Sequence, residues 1–169
     1  MTDSAPARVK EAEHPFPAAM RRRDHRALAD TLAVDVVLHS AVTGAPFEGR
    51  EVVAELYRSA IDSFEHIEVV DELSAGDTYA FFWPGRIEGR FVEGADRLRL
   101  DGDGKVREVT VLARPLSGLS TFLTAIGARF ARGRRGDRVA ALLRATSRPL
   151  PPTFALLDPG TRWLVRGRG

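Results

Sequence analysis

The chain has 169 residues, of which 44% are hydrophobic and 28% are charged, as is usual for a globular domain with its own core. It contains no cysteine, which excludes disulfides, thiolate metal sites and a cysteine nucleophile. No apolar run approaches the roughly 20 residues that span a membrane, and the first residues lack the apolar core of a secretory signal. We therefore expect a cytoplasmic protein without a membrane span.

Charge is distributed unevenly along the chain. Residues 1–115 carry fifteen Lys and Arg against twenty-one Asp and Glu, whereas residues 116–169 carry ten Arg and only two Asp. A basic tail on an acidic body either docks within the molecule or meets an anionic partner. The tail has no nucleic-acid-binding motif and no interleaved aromatic residues for base stacking, so nucleic acid is not the expected partner.

The first half of the chain predicts two helical regions separated by a strand. Residues 1–14 are polar and aperiodic, which is typical of a flexible leader. The apolar pattern of residues 16–33 predicts either one bent helix or two short ones, with Asp24 capping the restarted helix. The β-branched run 35–42 predicts a strand. Apolar residues between Val52 and Phe64 recur at helical spacing and predict a second helix.

A series of strands follows. Residues 67–73 and 78–87 have strand character, and Pro84-Gly85 indicates a bulge or a sheet edge. The clearest hairpin lies in residues 96–115, where two strands flank the turn Asp101-Gly-Asp-Gly. The order of helix, strand, helix and antiparallel strands predicts an α+β domain, with helices on one face of a curved sheet.

The tail predicts a helical extension. Apolar residues recur at helical spacing between Ser117 and Arg132, a second short helix is expected near residues 139–143, and a small hairpin near 154–165. The apolar stripe of the first tail helix needs a partner. The simplest partner is the folded body at residues 15–115, where the helix would close a pocket mouth or extend a dimer interface.

Three short sequences, taken in order, resemble the nuclear transport factor 2-like superfamily, which includes SnoaL-like polyketide cyclases and ketosteroid isomerase. They are Asp-Val-Val-Leu-His-Ser (35–40), Phe-Glu-Gly-Arg-Glu-Val-Val (47–53) and Asp-Arg-Leu-Arg-Leu-Asp-Gly-Asp-Gly-Lys-Val (96–106). The resemblance covers roughly residues 15–115. It implies a cone, in which a strongly curved antiparallel sheet packs against N-terminal helices around a largely apolar cavity. It also implies a homodimer that pairs through the outer sheet face.

The comparison with ketosteroid isomerase implies an incomplete catalytic set. The position of the base holds Ser40, which cannot replace a carboxylate, with His39 beside it, and the position of the main oxyanion donor holds Phe16. Tyr57 and Asp96 match the supporting tyrosine and the aspartic acid that apolar surroundings keep protonated. The resemblance therefore argues against steroid isomerisation by the familiar mechanism. It leaves open a hydrogen-bond donor or a proton shuttle at Asp96.

The candidate residues also have structural alternatives. Asp96 could satisfy backbone N–H groups at the start of a strand, and Tyr57 could be a core tyrosine. Strand alternation places His39 on the face opposite Ser40, so that His39 reaches the pocket only after a one-residue slip in register. The residues expected to line the pocket are Phe16, Met20, Trp83, Leu98, Val109, Val111 and Ala113.

Neither a metal nor an organic cofactor is expected. Asp101-Gly-Asp103-Gly-Lys105 superficially resembles a calcium loop, but its twelfth position is Leu112 where an EF-hand needs glutamate. No cluster of His, Asp and Glu has the spacing of a zinc or iron site, and no glycine motif for phosphate is present.

Two function classes follow. The first is binding of a small apolar or carbonyl-bearing molecule, with cofactor-independent isomerisation, cyclisation or dehydration. In this case Asp96 is donor or proton shuttle, Tyr57 is its support and Ser40 orients the substrate. The second is a non-catalytic ligand-binding or interaction module of the same fold. Hydrolysis of a strained ring would need a second carboxylate and an arginine in the cavity, which the sequence does not place.

Overall fold

The computed structural model describes residues 14–135 and the single positions 138, 141 and 145. The predicted leader at 1–14, the predicted short helix near 139–143 and the predicted hairpin at 154–165 lie largely or wholly outside the described residues. The described helices are α1 (Pro15–Arg21), α2 (His25–Asp30), α3 (Arg50–Ile61) and α4 (Leu116–Arg135). The described strands are β1 (Leu32–His39), β2 (Phe47–Glu48), β3 (His66–Ile67), β4 (Asp71–Ala75), β5 (Thr78–Ile87), β6 (Arg90–Leu100) and β7 (Val106–Arg114).

The strands form one curved, unclosed sheet, which together with the helices confirms the α+β class. Its order is β2-β1-β7-β6-β5-β3, and β4 also pairs with β5. Every pair is antiparallel except β1–β7, which is parallel. The expected fully antiparallel sheet therefore needs one correction. The chain leaves β1, pairs with one edge of it as the short strand β2, and reaches its other edge only at β7, which runs in the same direction as β1.

The N-terminal region forms two short helices rather than one bent helix. Asp24 is the last residue of the connection between them, and its Oδ1 accepts a hydrogen bond from the Ala27 N–H at 2.9 Å. This satisfies one of the free N–H groups at the start of α2. Arg23, just before it, has a φ of 54°, which breaks the helical path between α1 and α2.

Strand β1 lies three residues earlier than the predicted span 35–42. Its start is set by pairing of Leu32 with Val106 in β7. Its end is set by Ser40, whose Oγ accepts a hydrogen bond from the Val42 N–H at 3.1 Å and so turns the chain out of the sheet.

The strand predicted at 67–73 is divided into β3 and β4, and Pro84 of β5 supplies the reason. The Pro84 carbonyl accepts from the Glu68 N–H at 3.1 Å, but proline has no N–H to return to that neighbour. The ladder is therefore interrupted opposite Pro84, whereas β5 itself pairs continuously with β6 from Thr78 to Ile87. The irregularity is therefore a break between β3 and β4 rather than a bulge in β5.

The predicted hairpin is confirmed as β6 and β7. Its turn is held by Asp101, whose Oδ1 accepts from the N–H groups of Asp103 at 3.0 Å and Lys105 at 2.8 Å. Gly104 adopts a φ of 73°, which favours glycine. The loop that superficially resembles a calcium site therefore uses a carboxylate to satisfy its own backbone.

The core lies between α1, α2, α3 and the inner face of the sheet. Each buried aliphatic or aromatic side chain contributes about 1.5–3 kcal/mol relative to exposure. The core residues at 0% exposure are Phe16, Leu32, Val36, Val53, Phe81, Leu98, Val106 and Val109. Helix α4 covers a further part of the inner face, and a cavity lies between this helix and the sheet. Among the described helices, none is both long and apolar enough to cross a membrane.

Candidate functional site

A cavity of about 580 Å³ lies between α3, α4, the end of β1 and the inner face of the sheet. This volume falls within the range of small-molecule sites. Its lining residues are Met20, Leu38, Ser40, Ala41, Val42, Thr43, Phe47, Val52, Leu56, Tyr57, Ala60, Ile61, Phe64, Ile67, Trp83, Asp96, Val111, Phe122, Leu123, Ile126, Gly127 and Phe130. Only Asp96 and Tyr57 among them carry an ionisable side chain, so the chemistry of the cavity wall is concentrated at that pair.

Asp96 lies on β6 at the cavity wall and is 2% exposed. The Tyr57 hydroxyl of α3 donates to its Oδ2 at 2.6 Å. The Trp83 indole N–H of β5 donates to its Oδ1 at 2.9 Å. Both carboxyl oxygens therefore have a donor, and no cation among the described residues forms an ion pair with the group.

Burial raises the pKa of Asp96 to about 6, because desolvation penalises the carboxylate more than the two hydrogen bonds, from Tyr57 and Trp83, stabilise it. The pKa of Tyr57 lies well above its usual value of 10, because burial and the neighbouring Asp96 charge both oppose the phenolate. Near neutral pH the tyrosine is a fixed donor. Asp96 is then the group of this pair whose pKa lies closer to neutrality.

Trp83 is held in place by the backbone beneath it. It pairs with Gly94 of β6, two residues before Asp96 on the same inner face. A Cβ at Gly94 would collide with two carbons of the indole ring. The missing side chain thus lets the indole lie across β6 and reach Asp96 diagonally, as aromatic side chains commonly do over glycine in sheets.

Comparison with known proteins identifies the family of this chain. The family model of the SnoaL-like domain matches residues 14–109, which is more than half of the chain. The chain belongs to the SnoaL-like domain family. A search of curated proteins finds no match.

Solved structures place this SnoaL-like protein among nuclear transport factor 2-like folds. A steroid delta-isomerase from Pseudomonas aeruginosa is 28% identical, with a TM-score of 0.65 over 69% of this chain and 86% of its own. An uncharacterised protein with a cystatin-like fold from Silicibacter pomeroyi is 21% identical, with a TM-score of 0.65 over 70% and 87%. An NTF2-like protein of unknown function from Mesorhizobium loti is 24% identical, with a TM-score of 0.53 over 59% and 85%.

Six of the residues named from the sequence meet at this cavity: Met20, Ser40, Tyr57, Trp83, Asp96 and Val111. Asp96 and Val111 are direct cross-strand neighbours on β6 and β7. Tyr57 approaches from α3 on the other side. The hairpin thus contributes to the cavity wall through one pair of residues.

Five other residues named from the sequence do not line the cavity, and these expectations are corrected. Phe16, Leu98 and Val109 are 0% exposed and pack in the core. Ala113 shares a row with Gly94 and Trp83, and the indole rather than the alanine faces the cavity. His39 ends β1 on the exposed face, as strand alternation requires once Ser40 faces inward.

Phe16 does not line the cavity but contacts the site through the ring of Tyr57. Its ring lies edge-on to Tyr57, with 4.9 Å between ring centroids and 85° between ring planes. This contact adds about 0.5–1.5 kcal/mol beyond the area that it buries. Phe16 therefore packs directly against the ring of Tyr57 and helps to fix its orientation.

Helix α4 supplies lining residues that were not named as ligand-binding from the sequence. Phe122, Leu123, Ile126 and Phe130 form one wall of the cavity. Their helical spacing is visible in the sequence and indicates a buried stripe, but spacing alone does not tell a core contact from a cavity wall. Gly94 was also missed. The pattern Gly-x-Asp opposite a tryptophan in a neighbouring strand is the signal that could have found it.

Proposed function

We propose that this SnoaL-like protein binds a small, largely apolar molecule with a carbonyl group and exchanges a proton with it through Asp96. The observation that carries this proposal is the place of Asp96, which is the one carboxyl group that the described residues contribute to the wall of an apolar cavity. A carboxyl group with a pKa near 6 can accept and return protons at neutral pH.

The proposed step is proton abstraction from the carbon next to the carbonyl group. The Asp96 carboxylate takes the proton, and the electron pair of the C–H bond moves into the carbonyl to form an enolate. The carboxylic acid then returns a proton to the same carbon or to a conjugated one. Return to a conjugated carbon is an isomerisation. If the substrate carries a hydroxyl on the β-carbon, the enolate pair can instead form a C=C bond as the C–O bond breaks, and the Asp96 carboxylic acid gives its proton to the departing hydroxyl, so that water is released in a dehydration.

Tyr57 and Ser40 have supporting roles in this proposal. Tyr57 donates to Asp96 and so stabilises its carboxylate form. Ser40 lines the cavity, and its Oγ already accepts from the Val42 N–H. A hydroxyl that accepts in this way still has its own proton to donate, which suits it to orient a substrate carbonyl.

The proposed chemistry differs from the isomerase scheme in the position of the base. The resemblance puts Ser40 at the position of the first-strand carboxylate of that scheme, and Asp96 is the only carboxyl group among the described residues that line the cavity. At pH 7 a group with a pKa of about 6 is ionised by roughly ten to one. Asp96 is therefore assigned the role of base first and of acid second.

Deuterium exchange into a simple bicyclic ketone tests the proposal. 2-Tetralone is incubated in deuterated buffer, and the loss of its α-proton signals is followed by NMR with and without protein. We expect the wild-type protein to accelerate exchange and Asp96→Asn to abolish the acceleration. A protein that binds 2-tetralone without accelerating exchange would contradict the proposed chemistry and support the second candidate, a ligand carrier of the same fold.

We also propose that two copies pair through the outer face of the sheet. Phe82, Ala95 and Leu112 form one continuous cross-strand row on this face. Phe82 is 41% exposed and Leu112 is 62% exposed. Large apolar side chains in such a row are typical of an interaction surface.

The charges beside this row suit a second copy. Arg97 and Glu108 form an ion pair on one side, and Glu93 and Arg114 form another on the opposite side. A two-fold axis along the row would bring Arg97 of one copy to Glu93 of the other. Sedimentation analysis should show a dimer that Leu112→Glu converts to monomer. A monomeric wild type at micromolar concentration would contradict the pairing.

A further inference from the structure

Helix α4 lies outside the segment that matches the SnoaL-like domain, which ends at residue 109. It nevertheless reaches the candidate site. The ring of Phe122 stacks on the Trp83 indole, with 6.4 Å between ring centroids and 26° between ring planes. The same indole donates to Asp96 at 2.9 Å. A side chain from beyond the matched domain is thus one contact away from the carboxyl group.

Three groups confine the Trp83 indole. Gly94 leaves room for the ring on the β6 backbone. Phe64 meets it edge-on, with 5.5 Å between ring centroids and 82° between ring planes. Phe122 covers it from α4 and also contacts Phe64, at 5.7 Å between ring centroids. The indole is therefore in contact with the β6 backbone and with two aromatic rings, and these contacts restrict the tilt of its N–H.

Helix α4 is anchored firmly enough to serve as this cover. At its start Gly118 lies against the backbone of Phe91 in β6, where a Cβ would collide with the Phe91 carbonyl. Further along, Phe130 meets Phe47 edge-on, with 6.2 Å between ring centroids. The helix is therefore held on both sides of Phe122.

We propose that Phe122 is a positioning residue for Asp96, which acts by pressing the Trp83 indole against β6 so that its N–H stays directed at the carboxyl group. The proposal rests on the proton-exchange function proposed above, because positioning matters only if Asp96 is the reacting group. Under this proposal α4 helps to position the reacting group as well as lining the cavity. Hydrogen bonds weaken steeply as their angle departs from linearity, so a small tilt of the indole is enough to lose this one.

The indole N–H resonance of Trp83 provides a direct test that needs no ligand. The chain has two tryptophans, so a Trp163→Phe background leaves Trp83 as the only indole signal. When Asp96 ionises, an indole N–H that is bonded to it should shift downfield in a pH titration from 4.5 to 8. The amplitude of that shift measures how well the N–H is directed at the carboxyl group, whichever way the midpoint moves.

Four variants separate positioning from general stability of α4. Phe122→Ala removes the cover, and Phe122→Leu keeps most of the apolar volume without a flat ring, which guards against loss of folding. Phe122→Tyr keeps the flat ring. Leu119→Ala removes a half-buried side chain of the same helix that does not line the cavity.

The amplitude of the Trp83 shift should fall about twofold or more in Phe122→Ala and Phe122→Leu, because the indole is free to tilt. It should stay at the wild-type value in Phe122→Tyr and Leu119→Ala. A full amplitude in Phe122→Leu would overturn the proposal, and so would an equal loss in Leu119→Ala. Because no ketone is present, these outcomes are independent of whether 2-tetralone exchange succeeds or fails.

Discussion

Two tyrosine–carboxylate pairs lie on the inner side of the described fold, and one of them lies in the cavity wall. Tyr57 donates to Asp96 in the cavity wall. Tyr79 donates to Glu72 at the other end of the sheet, where Arg21 also pairs with Glu72 at 2.6 Å. The hydrogen bond between tyrosine and carboxylate is common to both. The surroundings of the carboxylate differ.

The difference between the pairs is compensation of charge. Glu72 has an arginine beside it and a side chain that is 22% exposed, so both protein and water stabilise its carboxylate. Asp96 is 2% exposed and has two neutral donors. The difference teaches that burial raises the pKa of a carboxyl group toward neutrality when neutral donors orient the group but no cation compensates its charge.

The largest expected effect is on reaction rate. Asp96→Asn removes the proton acceptor and should lower protein-catalysed exchange of 2-tetralone by about 100-fold or more. Glu72→Gln changes the matching carboxylate of the other pair and should leave the rate within about twofold of wild type. Equal losses in the two variants would show that the rate does not depend on the cavity carboxylate.

The next effect is on stability as a function of pH. The folded-state pKa of Asp96 is about 6 against a reference value of 3.8, so the folded protein holds this proton more tightly than the unfolded chain. The contribution is fully present below about pH 4 and is lost as pH rises through about 6. It amounts to about 3 kcal/mol.

Urea titrations of wild type and Asp96→Asn measure this contribution. The free energy of unfolding of the wild type, minus that of the variant, should be about 2.5 kcal/mol higher at pH 4 than at pH 7.5. Ser40→Ala removes no titrating group, and its difference from wild type should stay constant with pH. A difference for Asp96→Asn that is also constant would contradict the raised pKa.

Substitution of the two tyrosines should separate rate from stability. Tyr57→Phe removes a donor that stabilises the Asp96 carboxylate, so the pKa of Asp96 rises and exchange at pH 7 should fall about tenfold. Tyr79→Phe should lower stability by about 2 kcal/mol, because it removes a hydrogen bond to a charged group, without slowing exchange. Assays of 2-tetralone exchange and of urea unfolding on both variants distinguish an effect on rate from an effect on stability. Slower exchange in Tyr79→Phe would contradict the difference drawn between the two tyrosine–carboxylate pairs.

The smallest expected effect comes from His14, which lies beside Tyr79 with 5.4 Å between ring centroids. Its Nδ1 accepts from the Phe16 N–H at 3.2 Å, which caps α1. Burial lowers the pKa of His14 below its usual 6.5. The unfolded chain therefore binds this proton more readily, and stability is present above pH 6.5 and falls as pH drops below it.

His14→Asn keeps a side-chain oxygen at the cap position but does not titrate. Between pH 7 and pH 5 the free energy of unfolding of the wild type, measured by urea titration, should fall relative to that of this variant. The fall should be smaller than the change expected for Asp96 and opposite in direction. An unchanged difference between the two proteins across that range would show that His14 does not titrate on unfolding.

Patterns that involve only neighbouring residues were sufficient to predict most of the fold. The alternation around Asp101-Gly-Asp-Gly predicts the hairpin, because turn chemistry is local. The division between β3 and β4 could not be predicted in the same way. It depends on which residue of another strand lies opposite Pro84, and pairing register is not visible in one strand.

The candidate site was predicted in part for a similar reason. Tyr57 and Asp96 were found because the order of short sequence signatures resembles a known superfamily. Phe122 and Gly94 were not named, because their effect depends on where the Trp83 ring lies in three dimensions. Apolar residues predicted to line the cavity, such as Leu98 and Val109, have the same composition and spacing as core residues, and their depth is decided by packing alone.

The pH dependence of 2-tetralone exchange tests the central claim most directly, namely that Asp96 is the proton-exchanging group of the cavity. Catalysed exchange by the wild-type protein should rise with pH and level off, with a midpoint near 6 that is absent in Asp96→Asn. A rate that falls as pH rises through 6 would instead make protonated Asp96 a hydrogen-bond donor. A rate that does not change between pH 5 and pH 8 would contradict any role of Asp96 in proton exchange.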